Sequence, residues 1–196
     1  MFQTAQYLLY ENRKYASPRM KLMRMEEAGE IIRLRRGIYS TDSSVSPYAA
    51  ASVIYGPSYI SFETALAFHG LIPERVEGIL SATTGKNKKK IYTNRLGTFA
   101  YEDVPAGIFP YAIEYMTEGE SHYMMAGPEK ALCDLLSKRP PLGSKKEIAD
   151  YITEGLRVEP QDFRALDHHL ILTLAEGYHS TNMKYLSKLS KELLHL

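Results

Sequence analysis

The periodicity of residues 17–40, SPRMKLMRMEEAGEIIRLRRGIYS, changes midway, and that change constrains the fold more than any other feature of the chain. Ser17 suits an N-cap, and Pro18 suits the first helical position, where its missing N–H costs nothing. Residues 19–28 are mostly strong helix formers, and Gly29 suits the cap that ends the helix. After Gly29 the period drops to two. Ile32, Leu34 and Arg36 fall on one side and Arg33, Arg35 and Gly37 on the other, with Ile38 and Tyr39 continuing an extended segment. A short helix followed at once by an Arg-bearing strand or hairpin has the form of a recognition helix and wing, which would hold nucleic acid. The plainer alternative is a small helix packed in a mixed domain, with an edge strand kept basic against aggregation.

Within residues 19–28, Leu22 and Met25 are three apart and can face a preceding helix, while Lys21 and Arg24 lie toward the exposed edge. Arg19 sits near the helix N-terminus, where partial positive charge suits a phosphate. Met20 and Met23 fall on the outward side, which is unusual for a base-reading face. Arg33, Arg35 and Arg36 would give separate phosphate contacts, or send one guanidinium into a minor groove.

The net charge of +1 conceals an asymmetry. Residues 1–45 carry 8 Lys/Arg against 5 Asp/Glu, and residues 46–95 carry 6 against 3. Residues 96–138 carry 2 against 7, and the remainder 8 against 8. A basic first half is therefore offset by an acidic middle, which permits nucleic-acid contact and equally permits internal neutralisation. The single Cys133 cannot form an internal disulfide, and no apolar run approaches the roughly 20 residues of a membrane span. A reducing cytoplasm is the expected location.

Residues 2–11 read as one amphipathic helix, and 41–47, TDSSVSP, as the linker between two domains, 1–45 and 46–196. A helix from Pro47 ends at Gly56-Pro57. A second begins at Ser61 as N-cap and ends at Gly70, with Phe62, Ala65, Leu66 and Phe68 or His69 buried; His69 reads as structural. Residues 78–123 read mainly as strands divided by Gly, Asn and Pro, with 85–90, GKNKKK, as a solvated hairpin tip or a further backbone contact. Pro128 opens a helix burying Ala131, Leu132, Leu135 and Leu136. Helices follow over about 144–154, 160–168, 169–178 and 182–195. In the last, Met183, Leu186, Leu189, Leu193 and Leu196 form a stripe expected to pack on its own domain rather than on a partner. The fold class is α+β.

No catalytic constellation can be assembled, so the chain reads as a non-enzyme that needs no cofactor. The nearest candidates are Asp167 with His168 and His169, and His179; adjacent helical histidines diverge by about 100° and do not chelate one metal. There is no HExxH, CxxC, GxSxG or phosphate-binding GxxxxGK[ST] spacing. Asp150 and Glu154 are most simply a solvated helix face.

Three segments in order, GEIIRLRRGIY at 29–39, YISFETALAFHGLIP at 59–73 and AGPEKALCDLL at 126–136, resemble the AbiEi-type antitoxins, transcriptional regulators of type IV abortive-infection toxin–antitoxin systems. The resemblance implies an N-terminal winged helix-turn-helix that binds operator DNA, an α/β C-terminal domain, and repression of the protein's own operon. It also implies a nucleotidyltransferase-like toxin encoded nearby, and a homodimer would present two helices to adjacent half-sites. Carried over by position, the DNA-binding residues are Ser17, Arg19, Lys21, Arg24, Arg33, Arg35 and Arg36. The N-terminal domain is abbreviated: the segment before the wing, 1–29, has room for two short helices where the family pattern places three. The region 140–196 is poorly covered by the resemblance. The alternative is an interaction module, docking a toxin or second subunit through the acidic 96–138 region or the terminal leucine stripe without binding DNA.

Overall fold

Residues 2–11 split into two elements instead of the single helix their spacing predicts. In the computed structural model, which describes residues 1–74 and 76–196, Phe2–Thr4 form strand β1 and Ala5–Glu11 form helix α1. Thr4 causes the break: its Oγ1 accepts from the Tyr7 N–H at 3.2 Å, which caps α1 and leaves the residues before it extended. Phe2, expected on the helix, instead packs against the main core from the strand.

Helix α2, Pro18–Glu27, closes through Gly29 at φ 75°, and the Glu30 N–H returns to the Met25 carbonyl at 2.9 Å. Strands β2, Ile32–Arg35, and β3, Ile38–Ser40, are joined by Arg36 and Gly37, the glycine at φ 84°. The three strands form an antiparallel sheet in the order β1-β3-β2. Alternation along β2 decides what the sheet touches. Tyr39, register partner of Arg33, packs with Leu8, Leu22 and Ile31 under α1 and α2. Ile32 and Leu34 point to the opposite face and join the core of the rest of the chain. Residues 41–47, expected as a linker between domains, therefore join segments that share one buried core.

The larger body runs α3 (Pro47–Ile54), β4 (Ser58–Ile60), α4 (Phe62–Phe68), β5 (Ile79–Thr83), β6 (Lys90–Asn94), β7 (Gly97–Asp103), β8 (Ile113–Glu118) and β9 (Ser121–Ala126). It continues with α5 (Pro128–Lys138), α6 (Lys145–Asp150) extended by a π-helical turn Tyr151–Gly155, α7 (Pro160–Ala165), α8 (His168–Ala175) and α9 (Thr181–Leu193). Its mixed six-stranded sheet has the order β6-β7-β5-β4-β9-β8, with β5/β7 and β4/β9 parallel. The fold is α+β.

Some details depart from the sequence expectations. Residues 85–90 are not a hairpin tip, because β5 pairs with β7 and the loop must cross to β6 on the far side of β7. The loop is tied down: Asp103 Oδ2 accepts from the Lys86 N–H at 2.7 Å and from Asn87, and Lys89 pairs with Glu102. Ser61 occupies the N-cap of α4 but makes no capping bond; its hydroxyl donates to Asp134 instead. Phe68 is exposed, while His69 Nε2 lies 2.9 Å from the Ala126 carbonyl and fixes the end of α4 to β9. Met183 and Leu186 of the leucine stripe are buried against the molecule's own helices, and Leu196, past the end of α9, is exposed. Among the described residues, no helix is long and apolar enough to cross a membrane.

Candidate nucleic-acid interface

On α2, Leu22 is buried and Met25 half-buried against α1, which turns Met20 and Met23 outward at 47% and 52% exposure. At 100° per residue Arg19 and Arg24 fall on the two flanks of that methionine stripe, and Glu27 lies within it. Both arginines are exposed. Lys21 is half-buried, with Nζ 3.7 Å from Glu30 and 5.8 Å from the centre of the Tyr15 ring. Ser17 stands at the N-cap in an extended conformation, but its hydroxyl accepts nothing from the helix. Pro18 has no N–H, and the first backbone bond of α2 runs from Lys21 N to the Ser17 carbonyl. Among the described residues, the Arg19 and Met20 N–H groups therefore have no capping partner at the helix start.

The hairpin is the more strongly cationic part. Arg33 and Arg35 alternate with the buried Ile32 and Leu34 and are exposed, as is Arg36 in the turn. None of Arg19, Arg24, Arg33, Arg35 or Arg36 forms an ion pair among the described residues. Arg33, Arg35 and Arg36 line one cleft of about 410 Å³ with Glu26 of α2 and Tyr92, Thr93, Asn94 and Arg95 of β6 and its turn. Arg19 and Ser17 stand apart from it at the other end of α2.

Arg95 is a candidate site residue that sequence reasoning missed. The β6–β7 turn places its guanidinium at the C-terminus of α2, where Nη1 donates to the Glu26 carbonyl at 3.3 Å. Asn94 Nδ2 donates to the Leu34 carbonyl at 2.9 Å, covering the open edge of β2. An arginine at the tip of a strand–turn–strand is a visible signal, but its wide separation from the hairpin along the chain hides the contact.

A second polar cluster is also missed by sequence reasoning, although its Lys and Asp stand four apart on α5. Lys130 and Asp134 are both fully buried. Asp134 Oδ1 accepts from Lys130 Nζ at 3.1 Å and from the Tyr178 hydroxyl at 2.5 Å; Oδ2 accepts from Ser61 Oγ at 2.6 Å and the Tyr59 hydroxyl at 2.8 Å. Lys130 Nζ also donates to the Tyr178 oxygen at 2.5 Å. Burial pushes the Lys130 ammonium below its ordinary value and raises the Tyr59 and Tyr178 hydroxyls and the Cys133 thiol above theirs. The cluster joins β4, the start of α4, α5 and the segment after α8, and with Lys130 and Asp134 closed off from solvent it positions those elements.

The histidines do not assemble a site. Buried His168 has Nε2 3.0 Å from the Phe163 carbonyl, so that nitrogen carries the proton and Nδ1 accepts from Ser190 Oγ at 3.1 Å. Asp167 caps α8 by accepting from the N–H groups of His169 and Leu170, both at 3.0 Å. Among the described residues no three His, Cys, Asp or Glu side chains are grouped to hold a metal ion. No model of a protein family matches the chain, and no curated protein matches it.

Proposed function

We propose that the chain is a DNA-binding regulator whose α1–α2 pair and β2–β3 hairpin act as a winged helix-turn-helix. The observation that carries the reading is the set of five exposed arginines, 19, 24, 33, 35 and 36, without an intramolecular ion pair among the described residues. Guanidinium groups left exposed in this way cost little in water, and each can neutralise a phosphate and release a counterion. The strand order β1-β3-β2 supports the same reading, because the helix pair packs on one sheet face through Tyr39 and β2, which carries Arg33 and Arg35, is left as an edge strand.

In this reading the hairpin supplies most of the affinity through the backbone, and α2 positions the molecule. With methionines and Glu27 on its outward face, α2 offers apolar contacts such as thymine methyls rather than bidentate guanine readout. Repression of its own operon, a nucleotidyltransferase-like toxin encoded nearby, a cytoplasmic setting and a homodimer on paired half-sites belong to the same proposal. The test is a gel shift with DNA from upstream of the gene. Replacing Arg33, Arg35 and Arg36 together with Ala is expected to weaken binding to that DNA and to a random duplex alike. A triple variant that binds as tightly as wild type refutes the reading.

A second reading, an interaction module, has one observation in its favour. The edge strand β8 exposes Glu114 and Glu118, with Glu120 beyond it and Tyr115 stacked on His122 at 5.5 Å. Capture of a basic partner that survives the arginine substitutions and is lost on replacing Glu114 and Glu118 with Lys would favour it. The leucine stripe gives it no help, since Met183 and Leu186 are turned inward.

A further inference from the structure

We infer that the cleft between the β2–β3 hairpin and the β6–β7 turn is a phosphate-binding site, in which Arg95 of the larger body faces Arg33, Arg35 and Arg36. The shared chemistry is a phosphate group, whether of a DNA backbone or of a free nucleotide; only the first source rests on the regulator reading above.

Among the described residues, four guanidinium groups line this cleft against one carboxylate, that of Glu26. Arg95, like the hairpin arginines, is exposed and forms no ion pair among the described residues. Like charges collected around one concavity repel, and an anion seated between them relieves that repulsion while meeting planar, fork-shaped donors. The wall opposite the hairpin is held in place before any ligand arrives. Asn94 bonds to the Leu34 carbonyl, and its Oδ1 accepts from the Leu96 N–H at 2.8 Å, which sets the turn that aims Arg95. One Arg95 nitrogen is committed to the Glu26 carbonyl, and the remaining N–H groups of the same guanidinium stay available. Thr93 adds an exposed hydroxyl on the same wall. A site walled by two rigid elements needs less ordering on binding than a mobile basic tail.

Glu26 gives the site a signature. As the one anion lining the cleft among the described residues, it opposes a phosphate, so removing its charge strengthens binding most where phosphate enters the cleft.

The test uses the full chain with two probes: a labelled random-sequence duplex of about three helical turns, followed by anisotropy across a salt series, and ATP, followed by calorimetry. Arg95→Gln is expected to weaken binding of at least one probe about five- to tenfold, and for the duplex to flatten the log–log salt slope by about 0.9. Glu26→Gln is expected to tighten the same probe two- to fivefold. Because Arg95 also touches the end of α2, Thr93→Lys serves as the second variant; it adds a charge at an exposed position and should steepen the duplex slope or tighten ATP. Effects on the duplex alone identify the DNA backbone as the source, and effects on ATP alone identify a free nucleotide. If neither probe responds to Arg95→Gln, Glu26→Gln or Thr93→Lys, the cleft is not a phosphate site. If the duplex then still depends on Arg33, Arg35 and Arg36, the regulator reading survives without it. Binding of ATP through Arg95, with no duplex binding at all, would leave the cleft standing and the regulator reading refuted.

Discussion

Replacing Asp134 with Ala removes the acceptor of four donors at once. Lys130 is left with a buried ammonium whose remaining partner is the Tyr178 oxygen. Breaking a buried pair from one side costs about 3–5 kcal/mol, because the surviving charge stays desolvated. With a urea m-value of about 2–3 kcal/mol per molar, that loss alone lowers the midpoint by about 1–2.5 M, and the Tyr59, Ser61 and Tyr178 hydroxyls orphaned by the same substitution lower it further. The double variant Lys130→Met, Asp134→Leu tests the reasoning more sharply. For an isolated pair it would restore or exceed wild-type stability. Here it still orphans Tyr59, Ser61 and Tyr178, each at about 1–3 kcal/mol for an unsatisfied buried hydroxyl, so recovery should be partial. Adding Tyr59→Phe, Tyr178→Phe and Ser61→Ala should complete it. The assay is urea unfolding followed by circular dichroism. An Asp134→Ala midpoint within about 0.3 M of wild type, or a double variant as stable as the parent, would refute the account.

Buried titratable groups, three of them in the same cluster, set the pH dependence of stability. Burial raises the Cys133 thiol from 9.0 and the Tyr59, Tyr101 and Tyr178 hydroxyls from 10.0, so the unfolded chain loses these protons first. The contribution of these groups is therefore fully present below about pH 9 and declines above it, by about 1.4 kcal/mol per pH unit for each group ionised only when unfolded; Lys130, depressed from 10.5, partly opposes the fall. Urea midpoints that stay level from pH 8 to 10.5 would contradict this. On the acid side, burial lowers His168 from 6.5, so the unfolded chain takes up that proton first and stability falls as pH drops below about 6.5. His168→Gln should be less stable at pH 7, by about 1–3 kcal/mol for its two hydrogen bonds, yet show a shallower decline toward pH 5.

What the sequence discloses depends on whether a signal is local. The helix from Pro18, the change to period two after Gly29 and the exposure of Arg33 and Arg35 against Ile32 and Leu34 all lie within a few positions of their causes, and they are legible. Strand positions from Ile79 to Ala126 are legible for the same reason. The first element reads wrongly because Phe2 sits at helical spacing from Ala5 and Leu9, while one hydroxyl, on Thr4, moves the helix start. Strand order is not legible: nothing in GKNKKK says that the chain crosses β7 before pairing. The cleft needs Asn94 and Arg95 to meet Leu34 and Glu26 across all of α3, α4 and β5, and the polar cluster needs Tyr59, Ser61 and Tyr178 to converge on one carboxylate of α5. Such contacts are products of topology, which local periodicity does not encode.

The most direct test of the regulator reading is the salt dependence of duplex binding by wild type and by the variant with Arg33, Arg35 and Arg36 all changed to Ala. Log affinity against log salt should be linear for wild type with a slope of about −4 to −5, for five or so neutralised phosphates, and should flatten by about 2.7 in the variant. A wild-type slope near zero, or a variant slope equal to it, would contradict the claim that these guanidinium groups hold nucleic acid.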